Sequence, residues 1–132
     1  MVEKLLRSVC TLLGIFDIVN AVTYNTIMKK TGHQAIDSIV AQIIAHYKPE
    51  KIILFGSAAR GTMKPDSDID MVVIKNTSER FYDRISSVRS MIQTNDPLDI
   101  LVYTPQEYLS LSRDNWFVGE EIAQKGKTVY GV

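Results

Sequence analysis

Apolar residues recur every three or four positions at the start of the chain, where Val2, Leu5, Leu6, Val9, Leu12, Leu13, Phe16 and Val19 share one helical face. Gly14 weakens that helix by about 1 kcal/mol relative to alanine. Residues 24–32 break the stripe and read as a polar connector that turns at Thr31-Gly32. A second stripe of Ile36, Ile39, Val40, Ile43, Ile44 and Tyr47 predicts a helix that Pro49 ends, with His33 near its start and His46 near its end. The period then changes. Lys51–Phe55 and residues 68–74 are short apolar runs without strict alternation, which suits strands covered on both faces. Ser78 is placed to cap a helix reaching about Ile92, with Phe81, Ile85, Val88 and Ile92 inward and Arg80, Arg84 and Arg89 on solvated faces. Asn95-Asp96-Pro97 turns the chain into a third strand, Leu98–Tyr103. Thr104-Pro105-Gln106-Glu107 is a capping box with proline at the first helical position. Asp114 is placed to cap a last helix with Trp116, Phe117, Val118 and Ile122, ending near Gly126, before an edge strand at 128–130.

This order predicts an α/β (α+β) fold, a small mixed β-sheet flanked by helices. The pattern divides the chain into an expected helical extension at residues 1–32 and a sheet-containing domain at residues 33–132. At 132 residues the chain fits one such domain with a hydrophobic core. Fifteen basic residues balance fifteen acidic ones, so no net field draws a polyanion and direct nucleic-acid binding is not expected. The single cysteine, Cys10, excludes an internal disulfide and a cysteine-rich zinc site. The apolar run from Val9 to Val22 is too short to span a bilayer and is interrupted by Asp17, which predicts a soluble helix and a cytoplasmic protein without a membrane partner. Its stripe packs on its own domain, on a second copy in a homo-oligomer, or on a partner. The two histidines have no ligand-spaced companions and are expected to be structural or solvated.

The chemistry concentrates between Ile52 and Ile74. Asp68 and Asp70 are two residues apart, so on a strand their side chains leave one face roughly 7 Å apart. Like charges that close repel, and a cation between them relieves the repulsion. Hard divalent ions take carboxylate oxygens together with substrate phosphate. Asp99, alone between Leu98 and Ile100, joins the pair if the third strand lies beside the second. Gly56 permits close backbone approach, and the Ser57 hydroxyl with the free amides after it can hold phosphate oxygens. Arg60 and Lys64 add positive charge. Each piece alone is weak, because Gly-Ser turns are common and Asp66-Ser67 makes a plain turn reading reasonable. Their joint order is the signal.

Gly56-Ser57, ten intervening residues and then Asp68-Ile69-Asp70 resemble the signature of the DNA polymerase β-like nucleotidyltransferase superfamily, and the string LFGSAARGTMKPDSDIDMVVI resembles its minimal nucleotidyltransferases (MNT type). The likeness extends through Leu98-Asp99-Ile100 and the tail from Glu120 to Tyr130, and leaves residues 1–32 uncovered. It implies Mg²⁺-dependent transfer of a nucleoside monophosphate, AMP from ATP, onto a hydroxyl. Asp68, Asp70 and Asp99 would be the catalytic carboxylates and hold two Mg²⁺ ions. Gly56 and Ser57 would bind the β and γ phosphates, with Arg60 meeting phosphate or closing the loop through a carboxylate. Many minimal members are antitoxins that adenylylate a tyrosine of a HEPN-domain toxin, so the resemblance implies such a partner. Two alternatives are an antibiotic-type small-molecule nucleotidyltransferase and a catalytically idle module that neutralises a partner by contact. The short chain weighs against the first, and the intact Gly-Ser and three aspartates against the second.

Overall fold

The computed structural model describes residue 31 and residues 33–131; the expected N-terminal helix and its stripe lie outside the described residues. Helix α1 (Gln34–Tyr47) is started by His33, whose Nδ1 accepts from the Ile36 amide, and stops at Lys48 in a left-handed conformation before Pro49. Strand β1 (Lys51–Phe55) leads directly into a short helix, α2 (Gly56–Arg60). Then come β2 (Ile69–Ile74), α3 (Phe81–Ser90), β3 (Leu98–Tyr103), α4 (Pro105–Asp114), a π-helix (Phe117–Gln124) and β4 (Lys127–Tyr130). No helix among the described residues is long and apolar enough to cross a membrane.

Among the described residues, four strands form one mixed sheet in the order β3-β2-β1-β4. Strand β1 is antiparallel to both β2 and β4, and β2 is parallel to β3 through the α3 crossover. Side chains alternate across this sheet, so each strand contributes to two separate cores. Ile52, Leu54, Met71, Val73, Ile100 and Val102 meet α1 and α3 on the first face. Ile53, Phe55, Val72 and Ile74 meet the π-helix and α4 on the second, through Val118, Ile122, Tyr108 and Leu111. Both faces being covered accounts for the unbroken apolar runs in β1 and β2. Every position of β2 is buried except Asp70.

Three local readings are corrected. The predicted start at Ser78 shifts: α3 begins at Phe81, and it is Thr77 whose hydroxyl accepts from the Glu79 amide. Asp114 closes α4 instead of capping the next helix, and Asn115 Oδ1 accepts from the Val118 amide. The arginines of α3 do not form a uniformly solvated face. Arg84 is only 6% exposed and forks onto Glu107 at 2.6 and 3.1 Å, while also donating to the Glu79 carbonyl. Arg84 and Arg89 reach the Val102 and Leu98 carbonyls on β3, an edge strand of the sheet. Capping those acceptors with charge leaves that edge poorly suited to pairing with another strand.

The capping box is formed as the sequence predicts. Thr104 Oγ1 accepts from the Glu107 amide, and Glu107 Oε2 accepts from the Thr104 amide. Glu107 therefore serves the helix cap and the buried arginine together.

Candidate active site

Asp70 and Asp99 occupy equivalent positions on neighbouring parallel strands and are paired in register. Paired residues project from the same face of a sheet, so the two carboxylates stand side by side. That face is the second one, which Val72 and Ile74 continue under the π-helix. The acids lie where β2 and β3 begin, with Asp70 partly buried and Asp99 exposed. Asp68 immediately precedes β2 and is exposed.

The turn before Asp68 is closed by other residues. Ser67 Oγ accepts from the Lys64 amide at 2.8 Å, and the Ser67 amide donates back to the Lys64 carbonyl at 3.0 Å. Ser67 thus supplies the turn chemistry that the sequence also allowed for its aspartates.

Across the sheet from Asp70, β1 ends at Phe55 in direct register. The next residue, Gly56, has φ +64°, and a side-chain carbon there would lie 2.6 Å from Asp70 Oδ2. Only glycine both adopts that backbone readily and leaves space for the carboxylate. Helix α2 starts at this point with no side chain capping its N-terminus, and Ser57 sits partly buried in its first turn. Gly61 ends the helix in a left-handed conformation, its amide donating to the Ser57 carbonyl. Gly56→Ala is expected to cost about 1–2 kcal/mol from the backbone alone. It should also displace Asp70, so transfer activity falls by more than the lost stability explains; parallel thermal melts and activity assays check this.

The electrostatics follow from this crowding. Partial burial pushes the Asp70 carboxyl above its ordinary range, Asp99 and then Asp68 push it further, and Arg60 pulls part of the way back. Arg60 itself is 3.9 Å from Glu121 on the π-helix, and Glu121 takes a 2.7 Å bond from Lys125. The sequence allows Arg60 a carboxylate partner without naming it, and there Glu121 stands only in a family-like tail.

No three His, Cys, Asp or Glu side chains among the described residues stand gathered as a finished metal site. The side-by-side Asp70 and Asp99, with Asp68 close enough to act on Asp70, are nevertheless the donors a hard divalent cation prefers. Mutual repulsion between these carboxylates opposes their closer approach. A cation drawing them together would relieve the crowding that now raises Asp70. The donor set fits such an ion.

Comparisons with known proteins bear on the family of the chain. A protein of Methanocaldococcus jannaschii, provisionally named a protein adenylyltransferase, is 26% identical over 99 residues, spanning 74% of this chain and 96% of that protein. A solved structure described as a toxin-antitoxin with AMP-PNP is 20% identical with a TM-score of 0.47, covering 71% of this chain and 72% of that one. Another, provisionally assigned as a nucleotidyltransferase from Sulfolobus solfataricus, is 25% identical with a TM-score of 0.39, covering 60% and 81%. Residues 38–131, which hold the whole sheet and all three aspartates, match the family described as Polymerase beta, Nucleotidyltransferase. The chain belongs to the polymerase β nucleotidyltransferase family and is a nucleotidyltransferase.

Proposed function

We propose that the enzyme transfers AMP from ATP, with Mg²⁺, to a hydroxyl on a protein. The observation that carries this reading is the in-register Asp70–Asp99 pair beside a glycine turn shaped around Asp70. Asp68, Asp70 and Asp99 would hold two Mg²⁺ ions, which when bound stabilise charge on the entering and leaving oxygens. Ser57 and the first amides of α2 bind the β and γ phosphates, with Gly56 admitting them close to the backbone. Arg60 adds charge beside them. Asp99, on an edge strand and exposed, faces the arriving acceptor and takes its hydroxyl proton. The acceptor oxygen forms a bond to the α phosphorus as the bridge to the β phosphate breaks, and pyrophosphate leaves.

The adenylyl donor and protein acceptor are supported by the name of the Methanocaldococcus relative, nearly all of whose length is matched. The likeness to minimal nucleotidyltransferases supports a tyrosine on a HEPN-domain toxin as that acceptor. The test is incubation with ATP labelled at the α phosphate, Mg²⁺ and a candidate toxin encoded beside this gene. Label should appear on a toxin tyrosine and require Mg²⁺. Label arising equally with Asp68→Asn or Asp99→Asn enzyme contradicts the proposed mechanism. Toxin neutralised without any label favours inhibition by contact.

A further inference from the structure

We propose that Glu121 is a positioning residue: from the π-helix it holds Arg60 beside the nucleotide turn so that the guanidinium meets the triphosphate. The inference rests on the nucleotidyl-transfer reading above and adds a residue to it. Arg60 ends the five-residue helix that begins at Gly56, so its position is tied directly to the turn. Its side chain is 56% exposed and would otherwise sample many rotamers. Glu121 is better fixed. It is 21% exposed, bonded to Lys125 at 2.7 Å, and carried by a helix anchored in the core through Val118 and Ile122.

The same helix reaches the turn a second time, where Phe117 stands edge-to-face on Phe55 with ring centres 5.7 Å apart. Phe55 directly precedes Gly56 and pairs with Asp70. The ring contact seats the π-helix beside the turn that carries Arg60. Extended π-helical hydrogen bonding is uncommon and concentrates at functional places.

Magnitudes separate this role from simple stabilisation. Exposed ion pairs contribute little to folding, so the 3.9 Å Arg60–Glu121 contact adds little to stability. A charge-assisted bond from a correctly placed guanidinium to phosphate is stronger, and losing its placement is expected to weaken ATP binding about tenfold.

The experiment compares wild type, Glu121→Gln, Arg60→Ala and the double variant, by calorimetric titration with Mg²⁺ and AMP-PNP and by steady-state transfer. Glu121→Gln should raise the Kd and the KM for ATP about tenfold with kcat and Tm nearly unchanged. Adding Glu121→Gln to Arg60→Ala should cost nothing more, because both act through one guanidinium. Wild-type affinity in Glu121→Gln, losses that add in the double variant, or a loss that tracks a fallen Tm each overturn the inference while leaving the transferase reading intact. A wild type that binds no nucleotide overturns that reading, and this inference with it.

Discussion

Asp70→Asn is expected to lower nucleotidyl transfer by at least about 100-fold while raising the melting temperature of the metal-free protein. The activity loss follows from its place among the proposed metal ligands, since even outer-shell partners of a metal cost about 10–100-fold when removed. The stability gain follows from the surroundings of the carboxylate. Burial and the Asp99 and Asp68 charges raise its folded-state pKa, so ionised Asp70 opposes folding. An acid shifted in that direction destabilises progressively as pH rises from its unfolded-state range through its folded-state pKa. The variant should therefore exceed wild type in Tm at neutral pH and converge with it in acid. Melts in the presence of a chelator, paired with transfer assays, check both halves. Opposite changes in activity and stability identify a carboxylate kept for function, whereas a parallel fall in both would assign Asp70 to the fold.

Glu107→Leu should produce the largest loss of stability, about 3 kcal/mol, near the lower end for breaking a buried ion pair. Its partner Arg84 is 6% exposed and would be left with a buried charge served mainly by the Glu79 carbonyl. The α4 capping box would be lost at the same time. The value stays at the lower end because Glu107 itself is 40% exposed and already partly hydrated. For a domain of this size that is a Tm decrease of roughly 10 °C. Arg84→Met combined with Glu107→Gln should recover much of it, because the charge and its counterion are removed together while glutamine still suits the capping box. The pH dependence runs opposite to that of Asp70. The bonds from Arg84 hold the Glu107 carboxyl below its ordinary range, burial opposing them in part. Its stabilisation is thus present above the ordinary glutamate range and is lost as pH falls through the depressed folded-state value. Wild type should lose this contribution on acidification, and Glu107→Leu should lack that component.

The strands and the acids at their starts were legible because two-sided burial produces uninterrupted apolar runs, against which Asp70 and Asp99 stand out. The capping box was legible because it is local, four residues closing on themselves. Arg84 was misread because charge was given precedence over spacing. It lies three residues after Phe81 and four before Val88, on the buried stripe, and that position was the available signal. Its partner Glu107 lies 23 residues away, a pairing that no periodicity contains. Glu121 was equally hidden, since its meaning depends on the π-helix packing beside α2. The caps expected at Ser78 and Asp114 are displaced because the helix starts later, at Phe81, with no side-chain cap, and because Asp114 still belongs to α4, leaving Asn115 to take the Val118 amide.

In the proposed mechanism the three carboxylates gather a divalent ion around a bound nucleotide. Electron paramagnetic resonance of Mn²⁺ titrated with AMP-PNP tests it without knowledge of the acceptor. Wild type should immobilise Mn²⁺ in the presence of the nucleotide, and Asp70→Asn and Asp99→Asn should lose most of that uptake while remaining folded. Equal uptake by wild type and both folded variants, or none by wild type, would rule out this metal site.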